Sequence, residues 1–300
     1  MKVDWRGYFA AAVTPFDANH ELNEDALHQY MLWLVKEKMH GIVLAGSNGE
    51  WPALTKEERI RLFKIGRDSV PKTTPLIGGC GAISVRETEY YLEQCAELEM
   101  DGALVSIPPY VSPTDREVLN FFTQISAKAQ LPIIAYNWPI GTAKDLSPEL
   151  LNNIADLENI VAIKNSTPDL SAFISCLRMI RNKVQAFGIM PGDVGMGLLD
   201  AVGGDGCIGA AGTLGHIQPD FFDAFWSGNK QEAKKLGAID QDLMTSMFQG
   251  FTGRNGHAIA IFKAILRERG VPVGPVRPPL LDLDEPALKN IRQFLEKHGL

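Results

Sequence analysis

Ile160-Val161-Ala162-Ile163-Lys164 is an unbroken apolar run that ends in a charge. It reads as a strand buried on both faces, the kind found in parallel sheets. Lysine is almost never fully buried without a reason. An ammonium in a dry site has its charged form disfavoured, which lowers its pKa and frees a nucleophilic amine. Twenty-eight residues upstream of Lys164, Leu131-Pro132-Ile133-Ile134-Ala135-Tyr136-Asn137 is a second such run, with Tyr136 near its end. Two adjacent strands ending in a lysine and a tyrosine point to a Schiff-base site with a phenolic proton relay.

Outward from these two runs, short apolar strands alternate with amphipathic helices. Strands are expected to begin near Tyr8, Gly41, Pro75, Gly102, Pro132, Ile160, Val184 and Gly206. Eight strands, most followed by a helix, predict an α/β fold closed as a (β/α)8 TIM barrel. The rival, a doubly wound open sheet, is disfavoured because no GxGxxG follows the first strand and a closed ring leaves no edges to protect. Helix starts are legible. Thr55-x-x-Glu58, Ser84-x-x-Glu87 and Thr114-x-x-Glu117 read as capping boxes. Ser147-Pro148 and Thr167-Pro168 each place a cap residue before a proline at the first helical position. Helical spacing is clear in Leu27, Met31, Leu34 and Val35, and in Val118, Phe121, Phe122 and Ile125. After about residue 228 the strand signal stops. Residues 229–248, 256–269 and 284–298 read as helices, separated by Gly250-Phe251-Thr252-Gly253 and a Pro-rich link at 272–279. The expected organisation is a barrel over 1–228 and a helical extension over 229–300 packed on it.

Composition excludes several classes. The 300 residues are 45% hydrophobic and 22% charged, ordinary for a globular protein with a large core. A net charge of −7 and the lack of a strong basic patch argue against nucleic acid as a partner. No apolar run approaches the ~18 residues of a membrane span, and the N-terminus has no signal-peptide apolar core. Cys80, Cys95, Cys176 and Cys207 show no metal-ligand spacing, and free buried thiols in a reducing cytoplasm are expected. The six histidines are dispersed and read as surface or packing residues.

In such barrels the active site lies at the carboxyl ends of the strands. The second strand ends in Gly46-Ser47-Asn48-Gly49-Glu50, whose glycines allow a tight backbone and whose short polar residues suit a small anion such as a carboxylate. The same segment also reads as a simple βα turn. Tyr136 is open to reading as a packed aromatic with a satisfied hydroxyl, and Lys164 as a side chain reaching solvent. Tyr110 lies in a proline-rich loop. Asp193 reads as the cap of the following helix, although its position lets it line the pocket. Glu50 is either a catalytic acid or an anchor of its loop. The constellation, and no single residue, carries the inference.

These residues resemble the class I pyruvate-type aldolase superfamily named for N-acetylneuraminate lyase and dihydrodipicolinate synthase. The resemblance covers essentially the whole chain. It runs from Val13-Thr14-Pro15-Phe16 through Gly46–Glu50, Tyr136-Asn137-Trp138-Pro139 and Ala162-Ile163-Lys164 to Val276-Arg277-Pro278-Pro279-Leu280. It is specific for the superfamily and much less so for one substrate. It implies that Lys164 forms the Schiff base, that Tyr136 relays the proton and that Ser47 and Asn48 hold the 2-oxo-acid carboxylate. Tyr110 matches a tyrosine that family members lend across a dimer interface, and a homo-oligomer, dimer or tetramer, is implied. Gly141 and Ile208 complete the expected substrate-binding set. No cofactor or metal is expected beyond the covalent lysine Schiff base.

Two departures shape the expected chemistry. Dihydrodipicolinate synthases usually carry two threonines where this chain has Ser47-Asn48. They also carry an arginine two residues after the proline of Tyr-Asn-x-Pro, where this chain has Gly141. A glycine cannot replace the charge-assisted bonds of a bidentate arginine. The Ser-Asn form is similar to that of the 4-hydroxy-2-oxoglutarate and some 2-keto-3-deoxy sugar-acid aldolases. The expectation is therefore retro-aldol cleavage of a 4-hydroxy-2-oxo or 2-keto-3-deoxy acid to pyruvate and an aldehyde. A dehydratase using the same iminium, and a synthase-like condensation of pyruvate with aspartate semialdehyde, stay open. A catalytically silent ligand-binding barrel is disfavoured by the presence of both Lys164 and Tyr136.

Overall fold

The computed structural model describes residues 2–249, 252–254 and 256–300. Eight parallel strands close into a barrel: β1 (Gly7–Ala11), β2 (Gly41–Leu44), β3 (Leu76–Gly79), β4 (Gly102–Ser106), β5 (Ile133–Asn137), β6 (Ile160–Asn165), β7 (Gln185–Phe187) and β8 (Gly206–Ala210). Each expected strand is present within one residue of its predicted start. Closure is made by β1, which pairs with β2 on one side and β8 on the other. The open-sheet alternative is thereby excluded. At the seam, Gly206 has φ +143°, and a Cβ there would collide with the Gly7 carbonyl oxygen, so the approach of β8 to β1 requires glycine.

Side chains at alternate positions fill the barrel. Phe9, Val43, Ile77, Leu104, Ile134, Ala162, Phe187 and Ile208 form one interior cluster that also holds Tyr136. Trp5 packs below Phe9, with ring centroids 6.4 Å apart, and Phe9 tilts against Phe187 at 5.2 Å. A second, larger cluster lies between the strands and the surrounding helices. Since both faces of every strand are buried, the strands read as continuous apolar runs and not as alternating ones.

A helix follows each strand, and the predicted caps explain four of those starts. Thr55 and Thr114 make complete capping boxes with Glu58 and Glu117. Ser84 accepts from the Glu87 amide, but the glutamate returns to the Ser84 hydroxyl and not to its backbone, so this box is incomplete. Ser147 caps Pro148–Ile154 as expected. The Thr167-Pro168 expectation fails. That helix is Leu170–Ile180, capped by Asp169, whose carboxylate accepts from the amides of both Ser171 and Ala172. Thr167 instead donates its hydroxyl to Asp145 at 2.6 Å. Asp193 is likewise not a cap. Gly192 occupies that position, and Asp193 is the exposed first residue of the helix Asp193–Ala201.

Beyond residue 228 the chain forms helices Lys230–Met247, Ala258–Glu268 and Glu285–His298. Gly250 and Phe251, from the expected separator, lie outside the described residues. Leu243, Met247, Ile259, Ile265, Ile291 and Phe294 belong to the same apolar cluster as the barrel helices. All four cysteines are buried and free. Among the described residues no helix is long and apolar enough to cross a membrane, and no group of histidines, cysteines and acids could hold a metal ion.

Candidate active site

Strand alternation brings the two key residues together. Tyr136 on β5 stands opposite Lys164 on β6 in register, Lys164 opposite Phe187 on β7, and Ser106 on β4 opposite Tyr136. Both Tyr136 and Lys164 sit at the carboxyl ends of their strands, in the mouth of the barrel. The strand tips are stapled by the next residue along each. Asn137 Nδ2 donates to Asn165 Oδ1 at 2.9 Å and to Asp145 at 2.7 Å, while Asn137 Oδ1 accepts from the Leu146 amide.

Lys164 does not reach solvent. Only 7% of the residue is exposed, and its Nζ lies over the Tyr136 ring, 4.0 Å from the centroid. A ring face favours a cation, but burial prevails and brings the Lys164 ammonium down to about 8. A useful fraction of neutral amine is therefore present near neutral pH. Tyr136 is shifted the other way. Burial lifts its phenol well above the ordinary value, although hydrogen bonds with Ser166 and Ser47 oppose the shift. The phenol thus stays protonated, with the hydroxyls of Ser166 and Ser47 as its hydrogen-bond neighbours.

A small cleft beside this pair is lined by Ala45, Gly46, Ser47, Trp51, Gly79, Gly81, Leu104, Ser106 and Tyr136. Lys164 does not line it and lies instead across the phenol face. Arg59 sits behind the cleft, buried, and donates to the carbonyls of Gly79 and Gly81. Ser47 opens a single 3-10 turn, Ser47–Gly49, directly after β2. Asn48 turns its amide to the Ala11 carbonyl at 3.3 Å, so its side chain secures the loop against β1.

The remaining expected residues separate. Tyr110 is 96% exposed, with φ +78°, and lies outside the barrel mouth of its own chain. Ile208 is buried in the interior cluster. Gly141 falls in the short helix Pro139–Thr142, where a Cβ would collide with Cδ1 and Nε1 of the Trp138 indole. Trp138 in turn stacks on Tyr136, with centroids 5.8 Å apart and planes 23° apart. Glu50 is no free acid. It is buried against Lys263 Nζ at 2.7 Å, which supports the anchoring alternative.

Two residues beside the pair escaped the sequence reading. Ser166 follows Lys164 by two positions and so shares its face, a period-2 signal that was available. Ser106 was legible only through strand register.

A family model described as the dihydrodipicolinate synthetase family matches residues 4–298. The chain is 31% identical to a 4-hydroxy-tetrahydrodipicolinate synthase of Desulforudis audaxviator, over 100% of both chains. Among solved structures it is similar to a dihydrodipicolinate synthase of Thermotoga maritima, with TM-score 0.89, 26% identity and 99% of each chain covered. A dihydrodipicolinate synthase of Acinetobacter baumannii complexed with pyruvate gives TM-score 0.88 and 26% identity, covering 98% of this chain and 99% of that one.

Proposed function

The chain belongs to the dihydrodipicolinate synthetase family, and from that premise we propose that it is a Schiff-base carbon–carbon lyase releasing pyruvate from a 4-hydroxy-2-oxo or 2-keto-3-deoxy acid. One observation carries this reading: a buried amine, held near pKa 8, lies against a protonated phenol at the carboxyl end of the barrel. Neutral Lys164 attacks the C2 ketone, a C–N bond forms, and water leaves to give an iminium. The C4 hydroxyl gives its proton to the Tyr136 oxygen, whose own proton passes on to Ser47 or Ser166. The C3–C4 bond breaks, its electron pair moves into the iminium to give an enamine, and the aldehyde departs. Protonation at C3 and hydrolysis return pyruvate and free Lys164. Ser47 and the strand-2 loop hold the substrate carboxylate so that C2 faces the amine, an orientation effect. No cofactor takes part.

The far end of the site supports the lyase branch. Trp138 occupies the room that a side chain at 141 would need, so the wall meeting the aldehyde half is aromatic. A second reading is favoured by the relatives' names: condensation of pyruvate with an aldehyde that bears its own carboxylate. Pyruvate released from a panel of 2-oxo-3-deoxy acids, with no efficient condensation of aspartate semialdehyde, separates the two. The first test is borohydride reduction with pyruvate followed by peptide mass mapping. Lys164 is expected to carry the added mass, and a label elsewhere removes the proposal. Tyr136→Phe is expected to slow turnover by roughly 10²–10⁴.

The protein is proposed to act in the cytoplasm as a homo-oligomer. Ile83, Tyr110 and Val111, on the loops after β3 and β4, and Ile140, in the short helix after β5, are exposed apolar residues, a rim suited to a second copy. Sedimentation analysis should give a dimer or tetramer that Tyr110→Ala weakens.

A further inference from the structure

We infer that Glu50, held by Lys263 and Arg277 of the C-terminal extension, positions Ser47 for the substrate carboxylate, so that residues beyond the barrel set the geometry of its active-site loop. The inference rests on the role of Ser47 proposed above.

The loop needs such a device. The Ser47–Gly49 turn is bracketed by two non-glycine residues in the left-handed region, Ala45 with φ +49° and Glu50 with φ +53°. L-residues avoid this conformation, and it persists only where the surroundings over-determine it. On the barrel side, Thr14 donates its hydroxyl to the Gly49 carbonyl at 2.6 Å and Asn48 reaches Ala11. On the other side the restraint comes from Glu50. Its Oε2 accepts from the Arg277 amide at 2.9 Å, and its Oε1 lies 2.7 Å from Lys263 Nζ. Among the described residues Oε1 has no hydrogen bond of ordinary geometry, so the ammonium contact acts as an ion pair.

Lys263 is built for this contact. It is fully buried, donates to the Pro275 carbonyl at 2.7 Å and lies 4.4 Å from the centroid of the Phe16 ring. The Arg277 guanidinium extends the grip, donating to the Ala53 carbonyl at 2.6 Å and making two bonds to Glu58, at 2.6 and 2.8 Å. The loop from Glu50 to Ala53 and the start of the following helix are thus fastened to the tail. A buried ion pair is poor evidence for stability, because desolvation offsets most of the attraction and an apolar replacement is often neutral. Fixing one conformation of a strained loop is a better account of this one.

The test compares the full-length protein with Glu50→Gln, Lys263→Met and the double variant. Each is assayed by borohydride trapping at Lys164 over a range of pyruvate concentrations, alongside thermal unfolding. All three variants should need roughly 10- to 100-fold more pyruvate for half-saturation, the scale of an ~1 Å misplacement of a binding group. The limiting trapping rate should fall as well, because Ser47 also orients C2 toward the amine, and neither change should follow melting temperature through the series. Lys263→Met strands a buried carboxylate and should melt lower, and the double variant should recover that loss while keeping the raised half-saturation. A double variant that binds pyruvate like the unaltered protein, or half-saturation that simply follows melting temperature through the series, overturns the positioning role. Failure of the unaltered protein to trap pyruvate at Lys164 is a separate result, which removes the functional reading together with this inference.

Discussion

At the scale of single residues, the burial that lowers the Lys164 pKa also carries a stability cost. Its folded pKa of about 8 lies below the ordinary 10.5, so the folded state bears a desolvation cost for the ammonium. That cost is fully present below about pH 8 and fades as pH rises toward 10.5, where the unfolded chain also loses its proton. Lys164→Met should therefore abolish pyruvate trapping yet stabilise the fold by up to roughly 3 kcal/mol at pH 7. Chemical denaturation at pH 7 and pH 10 checks both the sign and the loss of the difference. Trapping itself should accelerate with pH around a midpoint near 8. Asp240 offers a control away from the chemistry. It is fully buried, bonded to Gln218 at 2.7 Å, and pushed up by burial to about 6 from 3.8. Its charge costs nothing below pH 3.8 and its full amount above pH 6. Asp240→Asn is expected to be more stable than the unaltered protein by up to roughly 3 kcal/mol at pH 8, with the difference gone near pH 3.5. Equal stability at both pH values would contradict the assignment.

At the scale of elements, caps decide where the helices begin. The Thr114 box was readable because hydroxyl and glutamate stand three apart with nothing competing for either. Removing it by Thr114→Ala should cost about 1 kcal/mol in unfolding experiments and leave pyruvate trapping unchanged. The Thr-Pro pattern at 167 misled for an identifiable reason. A carboxylate two residues on can accept from two amides at once, and the threonine hydroxyl is taken by Asp145, which is distant in sequence. Asp169→Ala, and not Thr167→Ala, is thus the substitution that should shorten the helix Leu170–Ile180. Strands were easier to place, since burial on both faces writes an apolar run that needs no partner to be recognised.

At the scale of the whole molecule, barrel and extension share one apolar cluster and are joined by the Glu50, Glu58, Lys263 and Arg277 contacts. We propose on this ground that residues 229–300 are an appendage of the barrel and not an independent domain. Calorimetry should then show one cooperative transition, and a chain ended at residue 228 should lose its near-ultraviolet circular dichroism. Two separate transitions would divide the molecule where this account does not.

Sequence alone determined the eight strands, the order in which they alternate with helices, and the meeting of Lys164 with Tyr136. Each of these follows from short-range rules: apolar runs, helical spacing, and the preference of neighbouring strands in the chain to pair. Tertiary structure alone decided that Tyr110 faces outward, that Ser106 lines the cleft beside Tyr136, and that Glu50 meets a tail 227 positions away. Those contacts depend on how the ring closes and on where loops land over its mouth. No local pattern encodes such distances, because the partners become neighbours only after the whole chain has folded.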